Sequence, residues 1–471
     1  MAKKKLSSVV GIDIGSQFIK VAEIRSTGRD VSVTALGMAP TPEGMVDHNG
    51  VYDTEAIGAV IKELCASSGV SQGFGVFSLA GQAAILVRTL EVPRMNPAEL
   101  KQHMEWEISR NQPFAELTVQ SDYKEFPVED QAAQNMDVVM AIGAQSAVET
   151  LMGIAKKCGK VAHALDVEPL AIARVLSTCY GVDLANNTVC VVEVGAKSTS
   201  INMYRDGKLL LPRQVPVGGD ALTQAIAGAK GISNEDAEAL KVSKGEIPST
   251  AGAASFGGAM DPFAGDNTQA FAQFNPFADE FAAPMPTAEP SDAPGGSAYG
   301  YNPFGEPGAD APAPADPYAM PADQAAPADP YAMPTEYAPF DAEPPAAAAA
   351  DAPPAPPADP VSSAPALSDD SMELYNAMAR EVDEFLAEVR RSIDYYRSKG
   401  GDVNRILLGG GGAKLKGLGP FIERVLGIPV EMIDPLRGLP LNGKRLDMGM
   451  IDAHRPDFLI AVGNAMHVIF D

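Results

Sequence analysis

The sequence predicts an α/β fold in which two related domains surround one cleft, and three observations lead to this prediction. Two segments, one starting at Val9 and one at Val191, share an apolar stretch, a turn with an acid and a glycine, and a second apolar stretch. A third apolar stretch, at residues 406–408, runs directly into four glycines. A long acidic segment rich in alanine and proline separates the second segment from the third.

Residues 9–24 are typical of a β-hairpin, because an apolar strand, a tight turn and a strand with β-branched residues follow one another. The turn contains Gly15, Ser16 and Gln17. Glycine lets backbone N–H groups approach a phosphate without a Cβ between them. The preceding acid, Asp13, is suited to hold Mg²⁺ through the waters of that ion. Lys20 adds a positive charge nearby.

Residues 191–201 repeat this pattern about 180 residues later, with Glu193 as the acid. The candidate phosphate contacts in this second turn are Gly195, Ala196, Ser198 and Thr199. One such turn alone is usually only a hairpin. Two similar turns, however, can face each other across one phosphate group, and we expect that arrangement here.

The third glycine-rich segment follows a predicted strand and precedes a predicted helix. Its central glycines are Gly410, Gly411 and Gly412. At such a junction a nucleotide can lie against the backbone. Four glycines alone would also fit a simple loop, and the order and spacing of the three segments favour the nucleotide.

The sequence of residues 83–164 predicts a small βαββα unit between the two related segments. Asn96 is a candidate N-cap, Pro97 fits the first helical position, and Glu99 can complete a capping box. Pro113 is predicted to end this helix. Strands around residues 118–128 and 136–144 are expected next, followed by a helix over residues 146–158.

The three segments, in this order, resemble the actin-like ATPase superfamily, over residues 8–245 and 370–471. The resemblance implies a ribonuclease H-like fold with ATP and Mg²⁺ in the cleft. It implies that Asp13 and Glu193 are the metal ligands and catalytic acids and that Lys20 contacts phosphate. Glu238 and Lys241 would lie at the adenosine end, although a solvated helix face explains these two residues equally well.

The second motif of the superfamily normally carries aspartate where this chain has Glu193. A carboxylate that aims a metal-bound water must be placed within roughly half an ångström, and the extra methylene moves it. We therefore expect ATP binding with at most slow hydrolysis.

A narrower resemblance links the chain to PilM, the actin-like family of type IV pilus assembly proteins. It rests on residues 90–100, 112–123, 165–171 and 410–418. It implies a cytoplasmic protein whose small subdomain binds the N-terminal tail of a PilN-like inner-membrane protein. Other pilus assembly proteins are further expected partners, contact with the membrane would be only through partners, and self-association stays open.

Two alternatives share this fold: an FtsA-like cell-division protein and a cytoplasmic scaffold protein of type II secretion. The FtsA-like protein typically has a C-terminal amphipathic membrane helix. The type II secretion protein usually continues into a transmembrane segment, whereas this sequence contains no apolar run long enough to cross a bilayer. A sugar kinase is disfavoured because no catalytic base and sugar pocket are recognisable.

The predicted organisation places the acidic segment inside the second domain. Residues 246–368 contain 17 acidic residues and no Lys, Arg or His, which accounts for most of the net charge of −25. This composition predicts a disordered insert, and its charge disfavours nucleic-acid binding. The predicted division is domain 1 at 6–82 and 165–185, the small subdomain at 83–164, and domain 2 at 186–245 and 369–471 with the closing helix.

Overall fold

A computed structural model of the protein describes residues 6–28, 30–47, 50–79, 84–112, 118–127, 132–249, 251 and 368–470. The predicted stop of the first subdomain helix at Pro113 lies outside the described residues, as does nearly all of the predicted disordered insert. The described part contains two larger sheets, one small sheet and one short pair of strands.

The first sheet has the strand order β10-β6-β1-β2-β3. These strands are β1 (Ser8–Ile14), β2 (Phe18–Thr27), β3 (Asp30–Pro40), β6 (Phe74–Leu79) and β10 (Val161–Val167). Strands β10, β6 and β1 are parallel, while β1, β2 and β3 form an antiparallel meander. The short strands β4 (Val46–Asp47) and β5 (Gly50–Val51) pair with each other beside it.

Two helices cover one face of the first sheet, α1 (Thr54–Ser68) and α3 (Gln145–Lys157). Their buried residues Ile57, Ile61, Leu151 and Ile154 join β1 and β2 in one apolar cluster. Helix α1 begins where the Asp53 carboxylate accepts hydrogen bonds from the first turn, and it ends at Gly69 in the left-handed region.

The second sheet repeats the first, with the order β13-β12-β11-β15-β16. Its strands are β11 (Thr188–Val194), β12 (Thr199–Arg205), β13 (Lys208–Leu211), β15 (Arg405–Gly409) and β16 (Val430–Met432), and β14 (Gln214–Val215) pairs with β12. Strands β16, β15 and β11 are parallel, and β11, β12 and β13 are antiparallel. The two predicted hairpins, β1–β2 and β11–β12, therefore occupy the same place in two sheets of the same topology.

Four helices accompany the second sheet: α5 (Gly219–Lys230), α6 (Asn234–Lys244), α7 (Asp369–Ser398) and α8 (Leu418–Leu426). Helix α7 packs on α5 and α6 with a buried stripe that includes Met378, Val382 and Phe385. Sequence periodicity also places Tyr375 in this stripe, but Leu374 is the buried residue and Tyr375 is half-buried. A buried leucine leaves no hydroxyl without a hydrogen-bond partner.

The small subdomain contains β7 (Ile85–Pro93), α2 (Pro97–Arg110), β8 (Val119–Glu125) and β9 (Asn135–Ala144). With α3, these elements give the predicted order βαββα. The sheet order is β7-β9-β8, and α2 covers it through Leu100 and Met104. The capping box at Asn96 and Glu99 is present, as predicted. Helix α3 packs against α1, so it belongs by contact to the first sheet.

Two helices lie between the larger sheets, α4 (Glu168–Val175) and α10 (Leu459–Ala465). They contribute to an apolar cluster with residues from both sheets. A π-helical turn, Leu176–Tyr180, follows α4. Helix α10 is preceded by α9 (Met448–His454) and a 3-10 turn (Arg455–Phe458). Helix α11 (His467–Phe470) follows α10. Helix α10 is the predicted closing helix.

Among the described residues, no helix is both long enough and apolar enough to cross a bilayer. These residues belong to one compact unit by contact. The domain boundaries predicted from the sequence therefore stay a proposed division.

Candidate functional site

The two hairpins present equivalent residue pairs at their turns. Asp13, near the end of β1, lies opposite Lys20 in β2, and Glu193, near the end of β11, lies opposite Ser200 in β12. Lys20 Nζ is 3.0 Å from Asp13 Oδ2. Ser200 donates a hydrogen bond to Oε1 of Glu168, at the start of α4. Each predicted acid thus lies opposite a polar residue that comes seven positions later, on the facing strand.

The first turn is fixed by its own backbone and by Thr41. The N–H of Gly15 donates to the carbonyl of Phe18 at 3.1 Å. Thr41 donates its hydroxyl to the carbonyl of Gly15 at 2.7 Å and its N–H to that of Gln17 at 2.9 Å. A Cβ on Gly15 would stand 3.2 Å from Lys20 Nζ. Gly15 therefore closes the turn and makes room for Lys20, and its N–H is not available to phosphate. Ser16 is half-buried in the same turn.

The second turn is held by the segment that leads into α5. Gly195 N–H donates to the carbonyl of Ser198 at 3.0 Å. The N–H groups of Gly219 and Asp220 donate to the carbonyls of Gly195 and Ala196 at 2.9 and 2.8 Å. The second turn and the first turn of α5 thus form one backbone unit.

The two predicted hydroxyl contacts of the second turn already have partners. Thr199, which is buried, donates its hydroxyl to the carbonyl of Val217 at 2.7 Å. The hydroxyl of Ser198 accepts from Gln214 Nε2 at 3.2 Å. Thr199 therefore supports the turn, whereas the Ser198 hydroxyl keeps its proton for another acceptor.

A side-chain contact joins the two turns. Gln17 Nε2 donates to Asp220 Oδ1 at 3.3 Å, and Lys197 Nζ lies 2.9 Å from Asp220 Oδ2. Gln17 belongs to the first turn and Lys197 to the second. The turns consequently face each other across a narrow gap, as the sequence predicts.

The gap between the turns is rich in carboxylates. Removal from water raises the pKa of Glu193 well above its ordinary value, and the charge of Glu168 adds to the effect. Burial raises the pKa of Glu168 to about 7, although the bond from Ser200 opposes this. Burial would lower the pKa of Lys20, but the charges of Asp13 and Glu193 outweigh it and raise that pKa. Burial thus disfavours the charged forms of the two glutamates, whereas Lys20 stays charged.

The third glycine segment packs directly onto the second turn. Gly410 has a φ of 79°, and a Cβ there would stand 2.5 Å from Glu193 Oε1. A Cβ on Gly412 would stand 2.5 Å from a methyl group of Val194. Gly411 lies between them. Glycine is required at 410 and 412 because the backbone approaches the second turn too closely for any side chain.

The predicted adenosine residues lie on α6, close to this segment. Lys241 Nζ donates to the carbonyl of Gly219 at 2.8 Å and to the hydroxyl of Thr223 at 2.7 Å. It also pairs with Glu238 at 2.6 Å. Gly412 Cα is 3.9 Å from the point where a Cβ on Gly219 would stand. Lys241 therefore binds α5 at Gly219, which lies next to the glycine segment, and solvation of a free helix face does not describe its surroundings.

Two carboxylates that the sequence does not single out also face this region. Glu168 follows β10 and precedes Pro169, a pattern that reads as an ordinary acid in the first turn of a helix. Asp457 lies in the 3-10 turn before α10 and contacts Lys414 and His454. The proline after Glu168, at the end of β10, is the sequence signal that marks the start of a helix there.

The protein groups alone do not form a metal centre. Within the described part of the chain, no set of three or more His, Cys, Asp or Glu residues is arranged to hold a metal ion. The predicted metal ligands, Asp13 and Glu193, are two carboxylates at the ends of equivalent strands. Such a pair suits an ion that keeps most of its waters.

Two sheets of identical topology, with two helices between them and two facing turns, define the actin-like ATPase fold. A solved structure titled PilM-PilN type IV pilus biogenesis complex has this fold: it matches with a TM-score of 0.66 and 20% identity, covering 99% of each chain. Within this class, the family model of type IV pilus assembly protein PilM matches residues 11–263, more than half of the chain. The chain belongs to the PilM family, which confirms the family predicted from the sequence.

Cell-division proteins also match the chain. The family model of FtsA matches residues 190–463. FtsA of Neisseria meningitidis serogroup B is 21% identical over 266 residues, which are 52% of this chain and 62% of that protein. FtsA of Bacillus subtilis is 27% identical over 99 residues, 21% of this chain and 22% of that protein. The matches span less than two thirds of either relative, and they do not favour the FtsA alternative.

Proposed function

We propose that this PilM-family chain binds Mg²⁺-ATP between its two turns and uses the nucleotide state to regulate contact with a pilus assembly partner. The observation that carries the proposal is the placement of Asp13 and Glu193 at equivalent strand ends around Lys20. Two glycine-containing turns of this kind can hold a polyphosphate between them. The third glycine segment and Lys241 would then border the adenosine end.

The charges in the cleft fit a metal–nucleotide complex better than free ATP. Four carboxyl groups, those of Asp13, Glu168, Glu193 and Asp457, surround Lys20, whose charge is shared with Asp13, and burial already raises the pKa of Glu168 and Glu193. A free polyphosphate would add negative charge to this site and compete with these carboxyl groups for Lys20. Mg²⁺ would neutralise part of the phosphate charge, with Asp13 and Glu193 as hosts for its waters. Backbone N–H groups around Ser16, Gln17 and Ala196 would face phosphate oxygens.

Slow hydrolysis is part of the same proposal. Glu193 carries one more methylene than the usual aspartate, so its carboxylate would be displaced from the position that aims a metal-bound water. Nucleotide binding would then act through the closing of the cleft. Helices α4 and α10 connect both sheets, so a change at the turns is transmitted to the outer surface.

Calorimetric titration of Mg²⁺-ATP tests the binding site. Asp13→Asn keeps the size of the side chain and removes its charge, and we expect at least tenfold weaker binding. Glu55→Gln is the matched control, because Glu55 also pairs with a lysine, Lys157, but lies at the start of α1 away from the turns. Equal affinity of the Asp13 variant and the wild type would overturn the assignment.

For the partner, we propose the cytoplasmic N-terminal tail of a PilN-like inner-membrane protein, which would place this chain at the cytoplasmic face of that membrane without a span of its own. Family membership supports this, as does the match to the fold of the PilM-PilN complex. In the small subdomain β8 is an edge strand, and a cavity of about 630 Å³ lies at its end. Its lining includes Arg94, Lys124 and Phe126. An extended tail could pair with β8 as an additional strand and place a side chain in this cavity.

Fluorescence anisotropy with a labelled peptide of that tail tests the partner. Lys124→Glu reverses a charge of the cavity lining and is expected to weaken peptide binding severalfold. Lys101→Glu, on the exposed face of α2, is the control. Equal binding by both variants would place the tail elsewhere. Comparison with and without Mg²⁺-ATP would measure the coupling between nucleotide and partner.

A further inference from the structure

The Asp457 carboxylate is buried but only half satisfied. The residue is 7% exposed. Its Oδ2 lies 2.6 Å from Lys414 Nζ and 2.7 Å from His454 Nδ1, and these two nitrogens are 2.9 Å apart. Its Oδ1 accepts no hydrogen bond from any residue that the structure describes. A buried carboxylate oxygen without a donor is costly, so a site that keeps one has a reason to do so.

The unsatisfied oxygen faces the proposed nucleotide. Asp457 Oδ1 is 4.0 Å from the point where a Cβ on Gly411 would stand, which places it against the glycine segment. Gly410 N–H donates to the carbonyl of Pro456 at 3.2 Å, so the 3-10 turn and the glycine segment are joined by backbone. The charge of Asp457 also contributes to the raised pKa of Lys20, after the contributions of Asp13 and Glu193. Asp457 therefore lies between the adenosine and phosphate ends of the cleft.

The chemistry of a carboxylate limits what it can contact. It repels phosphate oxygens, and it accepts hydrogen bonds from hydroxyl groups and from water. Lys414 and His454 contact Oδ2 of Asp457 and thereby fix the direction of Oδ1. The N–H donors of ATP are on its adenine, and at a position between the adenine and the phosphates the donors that Mg²⁺-ATP offers are ribose hydroxyls and metal-bound waters, so the ligand group that fits Oδ1 is an O–H donor.

We propose that Asp457 is a nucleotide-contacting residue, whose Oδ1 accepts a hydrogen bond from an O–H group that arrives with the nucleotide. The two sources of that group are a ribose hydroxyl and a water on Mg²⁺. Lys414 and His454 are the positioning residues. This inference rests on the proposed function, because it requires nucleotide in the cleft.

Asp457→Asn gives the sharpest test. Lys414 has only donors, so the amide oxygen must face it and the amide NH₂ must face the cleft. The variant thereby presents a donor to a donor, and we expect at least tenfold weaker binding of Mg²⁺-ATP by calorimetry. Asp452→Asn is the control, since Asp452 pairs with Arg455 at 2.9 Å but is exposed on α9. Asp457→Ser, which avoids the misdirected amide, serves the same test if the asparagine variant does not fold.

Titration with 2′-deoxy-ATP and 3′-deoxy-ATP separates the two sources. If a ribose hydroxyl is the donor, removing it weakens binding to wild type and leaves the Asp457 variant unaffected. If a metal-bound water is the donor, the penalty of the variant persists with both analogues and its apparent Mg²⁺ affinity falls. Wild-type affinity in the Asp457 variants would overturn this inference alone, whereas wild-type protein that binds no Mg²⁺-ATP would overturn the proposed function as well.

Discussion

The raised pKa of Glu168 predicts that stability of the nucleotide-free protein falls as the pH rises. Burial raises the pKa of Glu168 from its ordinary value of 4.5 to about 7. Between these values the folded protein binds a proton that the unfolded chain has released, so the free energy of unfolding decreases with increasing pH. The effect is absent below about pH 4.5 and complete above about pH 7.

The size of the effect follows from the shift. Each pKa unit corresponds to 1.36 kcal/mol, so a shift of about 2.5 units amounts to about 3 kcal/mol. Glu168→Gln removes the ionisation and keeps an oxygen that can accept from Ser200. Because the charge of Glu168 also raises the pKa of Glu193, the variant lowers the free energy needed to ionise Glu193 as well.

Urea denaturation followed by far-UV circular dichroism, at several values between pH 5 and pH 8, measures this directly. The difference in unfolding free energy between Glu168→Gln and the wild type should grow by about 3 kcal/mol in favour of the variant over that range. Glu55→Gln, at the exposed start of α1, is the control variant. Parallel curves for the wild type and the Glu168 variant would refute the reasoning.

Two further predictions concern the first sheet. Lys20→Met removes the cation that pairs with Asp13 and should weaken Mg²⁺-ATP binding about tenfold by calorimetry, with Lys20→Arg much closer to wild type; equal loss in both variants would show that charge is not the reason. Gly11→Ala places a methyl group on the carbonyl of Ala461 in α10 and should destabilise the protein by about 1–3 kcal/mol in a thermal melt. Gly73→Ala, where a Cβ meets nothing within 4 Å, should be near neutral, and equal melting temperatures of all three proteins would contradict the packing argument.

The elements that follow from local chemistry could be predicted from the sequence. The hairpins show an apolar strand that ends near an acid and a glycine turn, and the structure places both in equivalent positions. The start of α2 follows from the capping chemistry of Asn96 and Glu99. Family membership could be predicted as well, because several motifs occur in one order.

Residues whose role depends on distant partners could not be predicted. Asp457 pairs with Lys414, which lies 43 positions away in the chain, and its unsatisfied oxygen becomes visible only in three dimensions. Thr41 supports the first turn from the far end of β3. Glu168 reads as a common helix-start acid until Ser200 is found beside it.

The roles of the glycines needed the structure too. Gly15 and Gly195 appear in the sequence as donors to phosphate, but their N–H groups close their own turns. Gly410 is required because Glu193 lies against it, a contact between two segments far apart in the chain. The sequence pattern identifies these glycines as important, and their contacts in the folded protein give the reason.

A crystal structure of the full chain with Mg²⁺ and a non-hydrolysable ATP analogue would test the nucleotide site most directly. We predict phosphates between residues 13–17 and 195–199, a hydrated metal ion beside Asp13 and Glu193, and an O–H donor on Asp457 Oδ1. Nucleotide bound elsewhere on the protein, or a cleft without nucleotide at saturating concentration, would contradict the proposed site.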